Sequence, residues 1–199
     1  MRPAGDGQHD VQPVTLRTER LLLRPFANDD VEDALQYRDD AEFARFLPHV
    51  PQPFTRADAE RFVATNMTEP WDRFPTFAIA LAGKLIGTVN LEVDAANRSA
   101  MLGYAISREH WGKGIAPEAA RAAVRWAFDV FDLVRVWAST DARHARSRRV
   151  MEQLGMHFET TVRGHHSNRG TLVDEVVYGM SRAECEAARR TSSRTAGSH

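Results

Sequence analysis

The hydrophobic pattern of this chain changes its period at a Gly-Lys-Gly triplet, Gly112 to Gly114, and this change limits the folds available to it. Before the triplet, residues 99–107 read as a β-strand. After it, apolar side chains recur at helical spacing, at Ala119, Ala122, Ala123, Trp126, Ala127 and Val130. A second β-rich run follows at residues 133–140. A strand–helix–strand unit predicts two parallel strands joined by a right-handed crossover.

The other strands read as antiparallel. A first strand is predicted at residues 19–26. Two β-rich runs flank Ala82-Gly83-Lys84, which predicts a hairpin, and the turn-like residues 94–98 lead into the strand at 99–107. Residues 157–164 and 171–180 read as two more strands. The sequence therefore predicts a mixed α/β fold, with antiparallel strands first and a βαβ unit behind them.

Three further helices carry recognisable ends. Residues 28–40 begin with Asn28 or Asp29 as the predicted N-cap. Residues 55–63 begin with Thr55 and have Asp58 three positions later, which is the spacing of a capping box. The segment "ARSRRVMEQLG" predicts a short helix that Gly155 ends.

The composition is that of an ordinary globular chain. The 199 residues carry a formal net charge of -1, so any anion binding must be local. We predict one domain over residues 16–182, a disordered tail at 1–15, and a helix end with a disordered tail at 183–199. No apolar segment resembles a signal peptide or reaches the ~18 residues that span a bilayer. The lone Cys185 excludes an internal disulfide and indicates a reducing, cytoplasmic location.

The Gly-Lys-Gly triplet has two interpretations. Glycines at a helix N-terminus let the backbone curl around an anion, and Lys113 adds a positive charge, so a phosphate site is one interpretation. A plain tight turn is the other. A dinucleotide fold would need a third glycine where Pro117 stands, and no Walker A motif is present, so both common nucleotide motifs are excluded.

Five segments resemble, in order, the GNAT superfamily of acetyl-CoA-dependent N-acetyltransferases: "IGTVNLEV", "MLGYAIS", "HWGKGIAPEA", "TDARHARSRRVMEQLGM" and "DEVVYGM". The likeness covers residues 16–182 and is greatest to the branch of ribosomal-protein alanine acetyltransferases. It implies a mixed, mostly antiparallel central sheet of about seven strands with helices on both faces. It also implies that the fourth and fifth strands, which are parallel, splay apart, often at a bulge.

The resemblance implies a cofactor path. Pantetheine would enter the gap between the two parallel strands and pair like an extra strand, and the pyrophosphate of CoA would lie on the glycine loop. The contacts would come from Tyr104, Ala105 and Ile106 in the strand, from Trp111, Gly112, Lys113, Gly114, Ile115 and Ala116 in the loop, and from His144 and Ser147 near the next helix.

Four positions depart from the family pattern. Glu109 stands where relatives often have Gln or Arg, and Met101 stands where many have a glutamate. His144 replaces a common asparagine, although a neutral imidazole still offers one donor and one acceptor. Met151 occupies the position of the tyrosine general acid. Because an acid and a tyrosine are absent, a CoA-binding module without catalytic activity stays open as an alternative.

Acetyl transfer needs a neutral amine, stabilisation of the oxyanion and a proton for the leaving thiolate. A backbone N–H of the strand at residues 104–106 would contact the oxyanion. Ser147 is the candidate proton donor; its alternative role is to cap the helix. Glu92 is the candidate base, beside the acceptor cleft; its alternative is a solvent-exposed carboxylate on an alternating strand.

The acceptor is predicted to contact residues 46–54 and 66–75. Trp71 and Phe74 form either walls of that site or an aromatic plug under a loop, and Glu69 and Asp72 would attract a cationic amine. No metal is predicted, because the adjacent residues 165 and 166 are the one histidine pair and neighbours on a strand face opposite ways. Cys185 reads as structural.

The predicted activity is therefore transfer of an acetyl group from acetyl-CoA, as co-substrate, to a primary amine by direct attack. The acceptor is a protein N-terminus, as the ribosomal-protein branch implies, or a small molecule such as an aminoglycoside, a polyamine or an amino acid. The arginines of "RHARSRR" read as a solvated helix face, with one arginine reaching the CoA nucleotide, so neither nucleic acid nor membrane is a predicted partner. A homodimer is left open.

Overall fold

The computed structural model describes residues 11–196, whose strands form one eight-stranded sheet. In chain order the strands are β1 (Leu16–Arg17), β2 (Leu22–Arg24), β3 (Thr76–Leu81), β4 (Lys84–Asp94), β5 (Ser99–Ile106), β6 (Arg135–Asp141), β7 (His157–Asn168) and β8 (Thr171–Ser181). The helices are α1 (Val31–Arg38), α2 (Ala41–Ala44), α3 (Arg56–Thr68), α4 (Ile115–Val130), α5 (Ala145–Leu154) and α6 (Arg182–Ala196). Short 3-10 turns lie at Asn28–Asp30 and Arg108–His110.

The sheet order is β1-β2-β3-β4-β5-β6-β8-β7, and β5 with β6 is its parallel pair. All other neighbours within the described chain are antiparallel. The mixed fold predicted from the sequence is thus confirmed. The eighth strand is β1, which is too short to show a pattern and pairs through Leu16 opposite Leu23.

The hydrophobic core lies on both faces of the sheet. Alternation along β3 separates the two halves, because Phe77 and Ile79 face one cluster and Ala78 faces the other. The larger cluster packs under α4, α5 and α6, and the smaller one packs under α1, α2 and α3. Helices therefore cover both faces, as expected.

The apolar stripe of α4 packs as predicted along most of its length. Ala119, Ala123 and Ala127 are fully buried against the sheet. Val130 is 40% exposed, so its predicted place in the stripe is wrong. The helix ends at that residue, and the next residue, Phe131, takes the buried position and packs edge-on against the Trp126 ring.

The predicted helix ends are correct in two cases and wrong in one. Thr55 caps α3 by accepting a hydrogen bond from the backbone of Asp58, and Gly155 ends α5 with φ of 85°. The predicted Asn28 or Asp29 cap is wrong. The carboxylate of Asp30 accepts the backbone N–H of Ala27 instead (2.8 Å).

The first described residues contact the domain, and the last helix is longer than predicted. Val11 and Val14 pack against the larger core cluster, so order begins before residue 16. Helix α6 extends to Ala196, further than predicted. The predicted tails at residues 1–10 and 197–199 lie outside the described residues. None of the helices over residues 11–196 is long and apolar enough to cross a membrane.

Candidate active site

The parallel strands β5 and β6 pair only at their beginnings. The ladder joins Ser99 to Arg135 and ends with Met101 opposite Trp137, although β5 continues to Ile106. Past that point the two strands separate, and in the described chain no strand fills the space between them. The splayed pair that the family resemblance implied is present.

The separation is not caused by a bulge in β5. The β4–β5 ladder runs without interruption from Gly87 opposite Ile106 to Asp94 opposite Ser99. The register shift of this region lies on the other side of β4, in its pairing with β3. The β6–β8 ladder is also uninterrupted, from Arg135 to Asp141, so the gap forms where two regularly paired parts of the sheet diverge.

The gap exposes particular backbone groups of β5. Ser107 N donates to Ile86 O of β4 (2.8 Å). Because hydrogen-bonding direction alternates along a strand, the backbone of Ala105 also faces β4, whereas the backbones of Tyr104 and Ile106 face the gap. An amide-bearing ligand lying along this edge could pair with the groups that face the gap.

The loop after β5 forms a cradle of free N–H groups. Gly112 and Gly114 have φ of 73° and 75°, a conformation that favours glycine. Among the described residues, no acceptor pairs with the backbone N–H groups of residues 112–116. A Cβ on Gly112 would have no heavy atom within 4 Å, so the space above the loop is open. Together with the first turn of α4, this loop suits an anion such as pyrophosphate.

An ion pair that the sequence analysis missed supports this loop from below. Arg20 donates to Lys113 O (2.9 Å) and to Glu118 Oε2 (2.7 Å), and Thr18 donates to the other oxygen of Glu118 (2.5 Å). Burial raises the pKa of Glu118, but the hydrogen bonds from Thr18 and Arg20 outweigh burial and hold that pKa below its ordinary value. The only sequence signal was an arginine within the predicted first strand at residues 19–26.

Trp111 closes the edge of the loop. Its Nε1 donates to Ile106 O (2.7 Å), which occupies one carbonyl at the end of β5. The guanidinium of Arg146, in the first turn of α5, lies 4.0 Å from the centroid of the Trp111 ring. This contact links the loop to the helix that follows β6.

Tyr104 and Ser147 meet across the gap. The Tyr104 hydroxyl lies 2.9 Å from Ser147 Oγ and donates to Ser147 O (3.0 Å). Burial raises the pKa of Tyr104 to about 12, so the phenol stays neutral in the physiological range. Ser147 lies inside α5 rather than at its cap, because the N-cap position is His144. The pair joins β5 to α5 where the strands separate.

The predicted base lies on the opposite face of the sheet. Glu92 on β4 stands opposite Met101 on β5, so both side chains face away from that of Tyr104. Glu92 is exposed. A second carboxylate, which the sequence analysis did not name, lies across the gap: Glu175 on β8 accepts a hydrogen bond from Ser139 of β6 (2.6 Å).

His144 stacks on an aromatic ring from the first half of the chain. The rings of His144 and Phe46 are 4.1 Å apart and nearly parallel. Burial, helped by Arg146, lowers the pKa of His144 to about 4, so this ring is neutral at pH 7. The stack brings the loop after α2 over the N-terminus of α5.

Several residues singled out in the sequence lie outside this region. Trp71 is buried between Phe77 and Trp126, so it forms a core plug and the alternative of an acceptor wall is wrong for it. Cys185 is buried in the larger core cluster, and burial raises the pKa of its thiol. Met151, at the position of the family tyrosine, is fully buried.

The arrangement as a whole fits a thioester cofactor. The open edge of β5 suits two amides in an extended arm, and the cradle after it suits a pyrophosphate. The hydroxyl pair lies beside the point of separation, where a thiol carried by that arm would end. Three groups of atoms thus suit an extended amide arm, a pyrophosphate and a terminal thioester.

Known proteins share this architecture. The sequence profile of the acetyltransferase (GNAT) domain matches residues 20–157. "Uncharacterized N-acetyltransferase p20" of Bacillus licheniformis is 27% identical over 176 residues, which cover 85% of this chain and 97% of that protein. "Probable N-acetyltransferase YjcK" of Bacillus subtilis is 30% identical over 173 residues, 83% of this chain and 96% of that protein. A crystal structure of a GNAT-family acetyltransferase from Bacillus anthracis has a TM-score of 0.76 and 26% identity, covering 84% of this chain and 98% of that one.

Proposed function

The chain belongs to the GNAT family and is an N-acetyltransferase, and from that premise we propose that a primary amine attacks acetyl-CoA directly in the gap between β5 and β6. The observation that carries the proposal is the early end of the β5–β6 ladder at Met101, next to a loop with unpaired N–H groups. One ligand, with an extended amide arm and a pyrophosphate, accounts for both features.

In this proposal acetyl-CoA lies extended along the open edge of β5 and the loop that follows it. Its arm lies against the strand at Tyr104, Ala105 and Ile106, where the outward C=O of Tyr104 and the outward N–H of Ile106 pair with the amides. The N–H groups around Gly112 and Gly114 bind the pyrophosphate. The full proposed contact set is Tyr104, Ala105, Ile106, Trp111, Gly112, Lys113, Gly114, Ile115, Ala116, His144 and Ser147.

Acetyl-CoA supplies the acetyl thioester. The residues around it stabilise the negative charge that develops and transfer protons. The backbone N–H of Tyr104 faces the gap and is placed to stabilise negative charge on the acyl oxygen. Ser147, which is oriented by the Tyr104 hydroxyl, relays a proton to the departing sulfur: its hydroxyl takes up one proton from water as it gives one to the thiolate, so it stays neutral. Glu92, on the other face of the sheet, takes the proton that the amine loses. The C–N bond forms as the C–S bond breaks, and the products are an amide and a free thiol.

The acceptor is a primary amine of one of two kinds. The α-amine of a protein N-terminus has a pKa near 8, so a fraction is neutral at pH 7 and needs little assistance from a base. A small-molecule amine is the second candidate, because a cleft of about 520 Å³ opens beside α5, within the size range of small-ligand sites. The single cysteine, which forms no internal disulfide, is compatible with a location in the reducing cytoplasm.

Release of CoA thiol with a panel of amines tests this function. We expect acetyl-CoA turnover with at least one peptide N-terminus or small amine, and formation of the corresponding amide by mass spectrometry. Acetyl-CoA that binds in the micromolar range without turnover on any acceptor would instead favour a CoA-binding module. Absence of CoA binding would contradict the proposal outright.

A further inference from the structure

A basic cleft opens beside the candidate active site. It has a volume of about 520 Å³ and lies between the segment after α2, the N-terminus of α5 and the β7–β8 turn. Its lining includes four arginines and neither Asp nor Glu. The arginines are Arg45, Arg143, Arg146 and Arg169. The sequence predicts that Glu69 and Asp72 attract a cationic amine, whereas this cleft has the opposite charge.

The positive charge of the cleft is only partly neutralised by the chain. Asp141 pairs with Arg143, whose hydrogen bond lowers the pKa of the carboxyl group to about 2. Glu42 lies 3.7 Å from Arg45, and both side chains are half exposed or more, so this pair is weak. Among the described residues, Arg146 and Arg169 have no carboxylate partner within 4.0 Å. Arg146 and Arg169 thus line the cleft without a counter-charge from the described chain, the first stacked on the Trp111 ring and the second hydrogen-bonded to two backbone carbonyls.

Hydrogen bonds hold the residues at the floor of the cleft in place. Arg169 donates to Ala44 O (3.2 Å) and Val50 O (3.3 Å), which fixes the β7–β8 turn against the segment after α2. Asn168, 8% exposed, lines the cleft; its Nδ2 donates to Arg45 O and its Oδ1 has no partner. A buried amide oxygen without a donor is costly unless a ligand or water satisfies it.

The cleft adjoins the reacting centre. Arg143, His144 and Arg146 line it, and the next residue, Ser147, contacts the Tyr104 hydroxyl at the point where β5 and β6 separate. The stacked Phe46 and His144 rings form one wall of the cleft. A molecule held there can therefore present an amine to the gap while another of its groups stays among the arginines.

We propose that the cleft binds a small amine acceptor that carries a carboxylate or a phosphate group. Guanidinium groups bind both oxyanions through paired N–H donors, which a neutral or cationic amine cannot use. The volume of the cleft matches a small molecule rather than a folded protein surface. This inference rests on the proposed transfer to a primary amine and adds the charge class of the acceptor.

Two matched pairs of acceptors test the charge class. O-phosphoethanolamine is compared with ethanolamine, and β-alanine with β-alaninamide, by kcat/KM from thiol release corrected for the neutral amine fraction. We expect at least one anionic member to exceed its neutral partner by about tenfold or more, the order of one charge-assisted hydrogen bond. The two pairs also distinguish phosphate from carboxylate.

Arg45→Gln is the test variant, and Arg56→Gln on α3 is its control. Both arginines are exposed and pair with one glutamate, but only Arg45 lines the cleft. We expect Arg45→Gln to reduce the preference for the anionic amine about tenfold with KM for acetyl-CoA unchanged, and Arg56→Gln to preserve it. If Arg45→Gln instead raises KM for acetyl-CoA, the arginines serve the cofactor and the inference is wrong.

Three other outcomes would also overturn it: equal rates within both pairs, a preference for spermidine, or a preference for an acidic peptide over both small anions. Calorimetric binding of O-phosphoethanolamine and β-alanine to the CoA-saturated protein separates this inference from the proposed function. Binding that depends on Arg45, with no turnover of any amine, would contradict the proposed acetyl transfer and support an anion-binding cleft. Turnover of neutral amines alone, with no binding of either anion, would support acetyl transfer and refute the anion-binding cleft.

Discussion

At the scale of single residues, the hydroxyl pair of Tyr104 and Ser147 is the part of the site most directly proposed to act in the reaction. We expect Ser147→Ala to lower kcat by about a hundredfold, at the lower end of general acid–base effects, because a thiolate leaves readily. Tyr104→Phe should have a smaller effect, since it removes only the partner of Ser147. Steady-state kinetics with saturating acetyl-CoA would measure both. Full kcat in Ser147→Ala would assign its hydroxyl to structure alone.

The proposed role of Glu92 as the base predicts that the effect of its substitution depends on pH. As a base it matters most when the amine is protonated, so Glu92→Gln should lower kcat/KM more at pH 7 than at pH 9. Glu175→Gln is the comparison, because this carboxylate also lies near the gap but is hydrogen-bonded to Ser139. Equal losses at both pH values would remove Glu92 from the role.

Residue roles were predictable where a motif fixed them and not where the tertiary structure did. The glycine conformations at Gly112 and Gly114 follow from the sequence, since no other residue adopts a positive φ as readily. The support from Arg20 was not predictable, because its partner Glu118 lies 98 positions away. Trp71 was ambiguous for a related reason: its burial depends on Trp126 from a distant helix.

At the scale of elements, the loop before α4 can be tested against a turn of the same backbone shape. Gly112→Glu should abolish acetyl-CoA binding, because it places a negative side chain in the open space beside the anion cradle, where its Cβ would have no heavy atom within 4 Å. Gly83→Glu in the β3–β4 turn is the control, with φ of 84° and no atom near its Cβ. Each variant should lose roughly 1–3 kcal/mol of folding stability because of backbone strain. Thermal unfolding would measure this loss. Affinity unchanged in Gly112→Glu would contradict the assignment of the loop.

The elements themselves were largely predictable, and their exact ends were not. The hairpin at residues 76–94 and the change to helical spacing after Gly114 come from local patterns, so the sequence shows them. Strand β1 has only two residues and exists because Leu16 pairs opposite Leu23, which no local pattern reveals. The early end of the β5–β6 ladder is also invisible locally. Both strands have ordinary β-rich sequences, and it was the family resemblance that indicated the gap.

At the scale of the whole molecule, Arg182 fastens the βαβ unit to the end of the sheet. It donates to Phe128 O (2.7 Å), Phe131 O (3.1 Å) and Leu133 O (3.0 Å), where α4 turns into β6. We expect Arg182→Ala to cost about 2–3 kcal/mol, because it leaves carbonyls unpaired at that corner. Arg56→Ala, which removes an exposed ion pair, should cost less than about 1 kcal/mol. Urea unfolding would compare them, and equal midpoints would contradict this role.

The stacked His144 and Phe46 rings join the two halves of the molecule, and they should make its stability depend on pH. Burial holds the pKa of His144 near 4 in the folded chain, whereas an unfolded histidine titrates near 6.5. The unfolded chain therefore takes up the proton first, so the stabilisation from this ring is complete above pH 6.5 and is lost as the pH falls toward about 4. His144→Phe keeps an aromatic stack that cannot be protonated. We expect wild-type protein to lose more thermal stability than His144→Phe between pH 7 and pH 5, and parallel losses would show that the ring is not buried as described.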